Sequence, residues 1–338
     1  MNEALQKKAL AKLADTPRLN IGVHPTPIEE LRRFQQTLGE NAPRIFIKRD
    51  DYTGAGFGGN KVRKLDYVLA QAIRDGVDTV LTIGGEKSNH CRATAAMCAR
   101  VGLDCVLILN RSSQTADEWK PASLVVDELV GAKVHLVDNR ESRQTTMHSL
   151  AEDLRSTGKR VLEIPLGASM PLGALGYVQA AQEAAAQLEA MNVRVTHMFH
   201  SSSSGGTQAG LIVGAALCPL SEAKIIGVSP DDPSEAIAAE VSQVINGLKA
   251  LLEISEASLH QEAVVLDDYI GEGYGIASAA SSAALKNLAR TEGIILDPVY
   301  TAKAFAGMLD WIKQGRLTRH DTVLFWHTGG QLALFYSH

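Results

Sequence analysis

A lysine at the start of a predicted helix is the first residue whose setting favours chemistry. It is Lys61, in the segment FGGNKVRKL (57–65). The paired glycines permit a tight turn, and Asn60 is a good N-cap for the helix that follows. The helix dipole opposes a cation there and Arg63 and Lys64 are close, so a lowered pKa and a nucleophilic amine are expected. Taken alone, the segment fits a solvated basic helix start at least as well.

Two polar side chains come directly after the predicted strand TVLTIG, in the segment GGEKSNH (84–90). Ser88 and Asn89 are expected at a helix N-terminus, where a hydroxyl and an amide lie beside free backbone N–H groups. That arrangement suits a carboxylate or a phenolate oxygen. By itself the segment is equally an ordinary helix cap.

A run of small residues, SSSSGGTQAG (201–210), also lies between a predicted strand and a helix. Small residues let the backbone approach an anion closely, and hydroxyls and helix-start N–H groups bind phosphate oxygens. The segment has neither the lysine of a P-loop nor the GxGxxG spacing of a dinucleotide fold. It predicts a phosphate-binding cup rather than a flexible loop.

Two C-terminal segments add an aromatic side chain and a strand end. GIILDPVYTAKAFAGM (293–308) places Tyr300 at a helix start, where its ring can stack on a ligand or its phenol can reach a substrate. An ordinary core tyrosine is the equal alternative. HTGG (327–330) puts Thr328 and two glycines at the end of a strand, where ligands collect in α/β sheets.

The elements that position these residues are short apolar strands alternating with amphipathic helices. The predicted strands are 45–48, 79–84, 105–110, 133–137, 161–165, 197–200, 224–228 and 322–327. The predicted helices include 61–74, 88–100, 172–190 and 206–217. Nearly continuous apolar strands separated by helices predict an α/β fold with a parallel sheet covered on both faces.

Composition narrows the function classes. The 338 residues are 45% hydrophobic and 21% charged with a net charge of −5, which is typical of a globular protein and does not favour nucleic acid as a partner. No apolar run has the length of a signal peptide or a membrane span. The cysteines 91, 98, 105 and 218 form no metal-binding pattern and are expected to be buried thiols in the reducing cytoplasm.

Together these motifs resemble the fold-type II pyridoxal-phosphate (PLP) enzymes, specifically the 1-aminocyclopropane-1-carboxylate (ACC) deaminase and D-cysteine desulfhydrase family. The resemblance runs from about Thr26 to the C-terminus. The motifs, in the family's order, are PTPIEEL, IKRDD, GGNKVRKL, SNH, GALGY, GTQAG, EGYG, LDPVYTAKA and HTGG. It implies a large PLP-binding domain of residues 1–55 plus 164–338, a small domain of residues 56–163, parallel sheets flanked by helices, and a homodimer.

The resemblance also implies roles for individual residues. Lys61 would hold the PLP aldehyde as a Schiff base and act as the base at the α-carbon, and Asn89 would bind the phenolic oxygen. The phosphate would be held by Ser203, Ser204, Gly205, Gly206 and Thr207. Tyr300 would stack on the pyridine ring, Thr328 would contact the cofactor, and Tyr274 of EGYG would reach the substrate. The substrate would also contact Ser88, which lies near its carboxylate or assists proton transfer, with Asn89, His90 and Thr301.

Two threonines bear on the substrate. ACC deaminases carry Glu and Leu where this sequence has Thr301 and Thr328, as the desulfhydrases do. A threonine cannot supply the negative charge that keeps the pyridine nitrogen protonated, which favours β-elimination. Lys87, after Glu86, is expected to point to solvent; facing the site, it would instead favour a more acidic substrate.

The predicted function is a cytoplasmic PLP-dependent lyase that uses no metal and acts on a small amino acid. The substrate predicted ahead of the alternatives is D-cysteine, which would give pyruvate, sulfide and ammonia. ACC deamination to 2-oxobutyrate and ammonia is one alternative, and elimination from an acidic β-substituted alanine such as cysteate is another. A catalytically silent PLP-binding protein is a fourth interpretation, which the presence of Lys61, Ser88, Tyr274 and Tyr300 disfavours.

Overall fold

The computed structural model describes residues 3–111, 121–255, 259 and 262–335. Its helices are α1 Glu3–Asp15, α2 Arg32–Gln36, α3 Asn60–Arg74, α4 Asn89–Val101, α5 Ala122–Leu129, α6 Ser142–Ser156, α7 Pro171–Ala190, α8 Gly206–Ala216, α9 Ser234–Leu252, α10 Ala279–Glu292 and α11 Thr301–Lys313. Its strands are β1 Ile28–Glu30, β2 Arg44–Arg49, β3 Thr79–Gly85, β4 Asp104–Asn110, β5 Lys133–Val137, β6 Val161–Ile164, β7 His197–Ser201, β8 Lys224–Val228, β9 Val264–Leu266 and β10 Thr322–His327.

The strands of the described residues form two sheets. One has six strands in the order β1-β2-β10-β7-β8-β9, and the other has four in the order β5-β4-β3-β6. All neighbouring pairs are parallel except β1 with β2. The predicted α/β fold with parallel sheets is confirmed. The domain division stays a prediction, and the strands of the four-stranded sheet lie between Thr79 and Ile164.

The inner strands of both sheets are buried on both faces, which explains their continuous apolar sequences. In β10, Leu324 and Trp326 pack into the core beneath α7, α8 and α9. The alternating residues Val323 and Phe325 pack into a second core with α10 and α11. Side chains of successive strand residues point to opposite faces, so a strand buried on both faces shows no polar alternation. The four-stranded sheet is covered in the same way by α3 and α4 on one face and by α6 on the other.

Close packing of α7 on α8 sets the position of α8. A Cβ added to Gly210 would lie 2.4 Å from the carbonyl oxygen of Ala174, and one added to Gly214 would lie 2.6 Å from Cβ of Ala181. Only glycine permits two helix backbones to come this near. This contact fixes the position of α8 against α7, and α8 begins directly after the serine run.

The four cysteines are free and buried. Cys91 and Cys98 lie on α4 and Cys105 lies on β4, as predicted. Among the helices that the structure describes, none is both long and apolar enough to cross a membrane.

Candidate active site

A cavity of about 260 Å³ lies where the carboxyl ends of strands from both sheets meet. Gly85 and Asn110 end strands of the four-stranded sheet, and the serine run and Thr328 follow strands of the other sheet. The cavity is lined by Asn60, Lys61, Gly85, Ser88, Asn89, His90, Asn110, Arg140, Arg143, Leu166, Gly167, Ser201, Ser202, Ser203, Ser204, Gly205, Thr207, Asp231, Tyr274, Tyr300 and Thr328. Most of the residues predicted to share a site therefore do share one cavity.

Lys61 is the second residue of α3, and the start of that helix is pinned from both sides. The amide of Gly59 donates to the carbonyl of Asp50, and the amide of Asn60 donates to the carbonyl of Thr328, each at 3.0 Å. The Asn60 side chain, predicted to cap α3, instead donates to Oγ1 of Thr207 at 3.0 Å. It therefore joins the start of α3 to the start of α8.

The Lys61 ammonium has little to stabilise its charge. Its Nζ lies 3.4 Å from Oδ1 of Asn60, and burial lowers the pKa of Lys61 to about 8. About a tenth of the amine is therefore neutral at pH 7, far more than for an unshifted lysine, and a nucleophile must be neutral.

The cause of this lowered pKa differs from the one predicted. Arg63 points away from Lys61 and pairs with Asp50 and Glu183. Lys64 is fully buried and its Nζ donates to the carbonyl of Gly167 at 3.1 Å. Desolvation of Lys61, rather than its basic neighbours, accounts for the shift, and a sequence does not reveal burial residue by residue.

The serine run forms a cup at the N-terminus of α8. Gly205 has a φ of 78°, a left-handed conformation that places the chain around the start of the helix. The hydroxyls of Ser201 and Ser202 are buried, and they have no hydrogen-bond partner among the described residues. Unpaired hydroxyls beside a helix N-terminus fit the oxygens of a phosphate group.

The predicted phosphate ligands differ in whether they line the cavity. Ser203, Ser204, Gly205 and Thr207 line the cavity, whereas Gly206 does not. The amide of Gly206 donates to the carbonyl of Ser204 at 3.0 Å and so is already occupied. The Ser203 hydroxyl donates to Asp231 at 3.2 Å, and the Ser204 hydroxyl accepts from Ser169 at 2.7 Å.

The start of α4 supplies the second anion-binding corner. Ser88 caps the helix, because its Oγ accepts from the amide of Cys91 at 3.2 Å. The Asn89 Oδ1 accepts from Nη2 of Arg92 at 3.1 Å, which fixes the amide and leaves its NH₂ group as the remaining donor. The first-turn N–H groups of a helix have no carbonyl within that helix to bind.

His90 lines the cavity as a neutral ring. Burial, reinforced by the charges of Lys61 and Lys64, lowers the pKa of His90 well below its usual value. Its Nε2 lies 2.7 Å from Oγ1 of Thr82, and its Nδ1 lies 3.5 Å from Oγ1 of Thr94. Both ring nitrogens therefore face threonine hydroxyls. His90 contributes to the wall of the cavity and has no ring N–H that is clearly available to a ligand.

Two tyrosines meet at the cavity. The hydroxyls of Tyr274 and Tyr300 share a short hydrogen bond, and their rings are edge to face with centroids 5.9 Å apart. Burial raises the pKa of Tyr300, and the adjacent Tyr274 adds to the effect. Tyr300 therefore stays a protonated phenol that can donate to a ligand.

Two of the expected side-chain positions are wrong. Thr301 is fully buried outside the cavity lining, and its Oγ1 donates to Oδ1 of Asp297 at 2.7 Å. Asp297 also accepts from the amides of Tyr300 and Thr301, so this threonine helps to secure the start of α11. Lys87 is 9% exposed rather than solvated, and it too lies outside the cavity lining.

Two arginines in the cavity were not predicted. Arg140 lies between β5 and α6, and Arg143 is the second residue of α6. The available signal was their position directly after the predicted strand KVHLV, the same criterion that selected the other motifs. No group of histidine, cysteine, aspartate or glutamate side chains within the described ranges could hold a metal ion.

Comparisons with known proteins identify the family. A model of the family described as "Pyridoxal-phosphate dependent enzyme" matches residues 19–329. The chain belongs to this family. Its cofactor is pyridoxal 5′-phosphate, and the cavity of this PLP enzyme contains groups that fit it: an amine with a lowered pKa, and unpaired hydroxyls at a helix start.

Solved structures of other PLP enzymes share the fold. The crystal structure of an ACC deaminase homologue matches at 32% identity with a TM-score of 0.86, covering 98% of this chain and 95% of that one. Threonine deaminase isoform 2 from Solanum lycopersicum matches at 17% identity and TM-score 0.69, covering 98% and 85%. A fungal L-serine ammonia-lyase from Rhizomucor miehei matches at 16% identity and TM-score 0.67, covering 92% and 94%.

Proposed function

We propose that the protein is a PLP-dependent lyase that eliminates the β-substituent of a small amino acid, with D-cysteine as the simplest substrate. D-cysteine and one water would give pyruvate, hydrogen sulfide and ammonia. The observation that carries the proposal is the buried Lys61 amine, whose pKa of about 8 suits both covalent attachment of the aldehyde and proton removal. When bound, PLP supplies a carbonyl that captures amines and a ring that withdraws electrons from the α-carbon.

The residues of this chain would divide the remaining tasks. The cup that begins at Ser201 and ends at Thr207 would hold the phosphate against the start of α8. The NH₂ group of Asn89, fixed by Arg92, would donate to the phenolic oxygen of the cofactor. The neutral amine of Lys61 would take the proton from the α-carbon as the bond to the β-substituent breaks.

The substrate would lie between α4 and the tyrosine pair. Its carboxylate would accept from the first-turn amides at Asn89 and His90, where the helix dipole favours a negative charge. Tyr274 and Tyr300 would close the opposite side, with the Tyr300 ring beside the cofactor and the phenols near the reacting carbon. Thr328, at the end of β10, would contact the cofactor.

The test is a screen of β-substituted alanines, in both enantiomers, with purified holoenzyme. Keto acid, ammonia and the leaving group are measured separately, and D-cysteine is expected to release equal amounts of pyruvate and sulfide. If none of the compounds yields keto acid while the cofactor is fully bound, the proposal is refuted.

ACC deamination is the second candidate, because the chain is similar to an ACC deaminase homologue over 98% of its length. Incubation with ACC would then yield 2-oxobutyrate and ammonia without sulfide. A rate with ACC that exceeds the rate with every β-substituted alanine would make this the function.

A further inference from the structure

Arg143 brings a buried positive charge to the cavity. It is 7% exposed, and its Nε donates to the carbonyl oxygen of Arg140 at 3.0 Å. Within the part of the chain that the structure describes, no carboxylate lies in ion-pair distance of Arg143. The two terminal nitrogens of its guanidinium are the remaining donors, and their charge has no counter-ion there.

The neighbouring Arg140, in contrast, is an arginine of this cavity whose charge is compensated by carboxylates. Arg140 pairs with Asp232 at 2.9 Å and with Asp231 at 3.7 Å. The pKa of Arg140 is raised accordingly, because these aspartates outweigh its burial. Burial and the charge of Arg140 instead lower the pKa of Arg143. Arginine nevertheless remains protonated at neutral pH, so Arg143 is a permanent cation that forms no ion pair with a carboxylate of the described residues.

The position of Arg143 indicates which bound group would compensate it. The predicted phosphate cup is on the six-stranded side, where Ser203 contacts Asp231 and Asp231 in turn faces Arg140. Arg143 is on α6, which covers the other sheet, and it lines the cavity together with Tyr274 and with Asn89 of α4. Tyr274 and the start of α4 are the groups assigned to the substrate, so Arg143 lies on the substrate side.

We propose that Arg143 binds an acidic group carried by the β-substituent of the substrate. The preferred substrate is then an alanine whose leaving group bears a sulfonate or a carboxylate, and the proposal rests on the β-elimination proposed above. For a sulfonate, the Cβ–S bond breaks and the α-proton goes to Lys61. One substrate anion and one water give pyruvate, hydrogen sulfite and ammonium, with no oxidant or reductant needed.

The geometry of arginine suits this task. A planar guanidinium donates two parallel hydrogen bonds to a carboxylate or sulfonate, and such charge-assisted pairs are stronger and more directional than neutral ones. Inside a largely buried cavity the attraction is screened less than at the surface. A neutral substituent would leave the cation desolvated and unpaired, so the site discriminates against it.

The test compares two nearly isosteric substrates, S-carboxymethylcysteine and S-carbamoylmethylcysteine, in both enantiomers. They differ in one charged group, and elimination from either releases pyruvate, ammonium and a thiol. Wild-type holoenzyme is expected to prefer the carboxylate by roughly 10- to 100-fold in kcat/KM, as expected for a hydrogen bond to a charged group. Arg143→Gln should remove the preference, and Arg143→Lys should retain part of it.

Arg155→Gln is the matched control, because Arg155 lies on the same helix but is exposed and pairs with Glu163 outside the cavity. It should leave the ratio of the two substrates unchanged. Isothermal titration calorimetry of the two compounds with each holoenzyme gives a second readout that does not require turnover. Circular dichroism verifies that the variants are folded.

Each outcome decides a separate point. An unchanged substrate ratio in Arg143→Gln, or equal binding of both compounds to the wild type, overturns the subsite. A fall in PLP affinity in Arg143→Gln with the substrate ratio intact also overturns it, because Arg143 would then serve the cofactor. If neither compound is turned over but the carboxylate binds more tightly through Arg143, the elimination fails and the subsite stands.

Discussion

Arg63 holds the carboxylate of Asp50 with two hydrogen bonds, from Nε to Oδ2 and from Nη2 to Oδ1, each 2.8 Å long. Both side chains are buried, and Asp50 also accepts from the phenol of Tyr177 and the indole of Trp326. Arg63 follows Lys61 by two residues on α3. The pair therefore connects the helix that carries Lys61 to the end of β2 and to α7.

Replacing Asp50 by Asn is expected to lower the free energy of unfolding by about 3 kcal/mol, because it leaves the buried Arg63 without its main counter-ion. Urea unfolding of the two proteins measures the difference. Asp153→Asn, at an exposed position on α6, is the control and should change the free energy of unfolding by less than about 0.5 kcal/mol.

The same pair predicts a pH dependence of stability. Burial alone would raise the pKa of Asp50, but the charge of Arg63 outweighs it and holds the pKa well below the usual range. The contribution is thus complete above about pH 4, the pKa in the unfolded chain, and is lost as the pH falls toward the folded-state pKa. The stability gap between wild type and Asp50→Asn should narrow below pH 4. A gap that stays constant down to pH 2 contradicts this assignment.

Lys61→Ala is expected to reduce turnover by at least about 10³-fold, since it would remove both the proposed covalent anchor and the proposed base. Borohydride treatment followed by mass spectrometry should find the cofactor fixed to residue 61 in the wild type and to no residue of the variant. Lys313→Ala, at the exposed end of α11, controls for loss of a lysine elsewhere. Full activity in Lys61→Ala would refute the role of this lysine.

The lowered pKa of Lys61 predicts how the apoenzyme takes up its cofactor. Only the neutral amine attacks an aldehyde, and burial brings the pKa of Lys61 to about 8. The rate of PLP capture should therefore rise about tenfold from pH 7 to pH 9 and level off above that. Stopped-flow absorbance measures it, with N-acetyl-lysine as the comparison amine. A rise that continues tenfold per pH unit up to pH 10, as for the free amine, would show an unshifted lysine.

Gly205→Ala is expected to weaken PLP binding by roughly tenfold or more, because phosphate-cup geometry depends on this residue. Its φ is 78°, and an added Cβ would lie 2.9 Å from the backbone nitrogen of Val241. Gly158→Ala shares the left-handed conformation, with a φ of 89°, but has open space around it. Gly158→Ala should leave PLP affinity unchanged, and equal PLP affinities of the two variants would contradict the proposed role of Gly205.

Much of the fold was predictable because its inner strands are buried on both faces. Runs such as TVLFWH and CVLILN carry their apolar residues without interruption, and the structure has strands at both. The strands β1 and β9 were not predicted. Each has only three residues and lies at a sheet edge, too short for a periodic pattern to form.

The candidate site was partly predictable for a related reason. Lys61, Ser88 and the serine run follow strands, and the carboxyl ends of parallel strands converge. Thr301 was misplaced because a sequence does not show that Asp297, four residues earlier, accepts from its hydroxyl. Arg143 was missed because its position after a predicted strand was the available signal, and the sequence of a polar helix does not show which of its arginines faces a cavity.

Because all four cysteines are buried, their reaction with a thiol reagent reports unfolding of the protein. Desolvation raises the pKa of Cys91 to about 12 and that of Cys218 to about 11, so these thiols stay protonated as well as shielded. A thiol-reactive dye should label none of them in the native enzyme and all four once the chain opens. The labelling rate then measures how often the molecule opens.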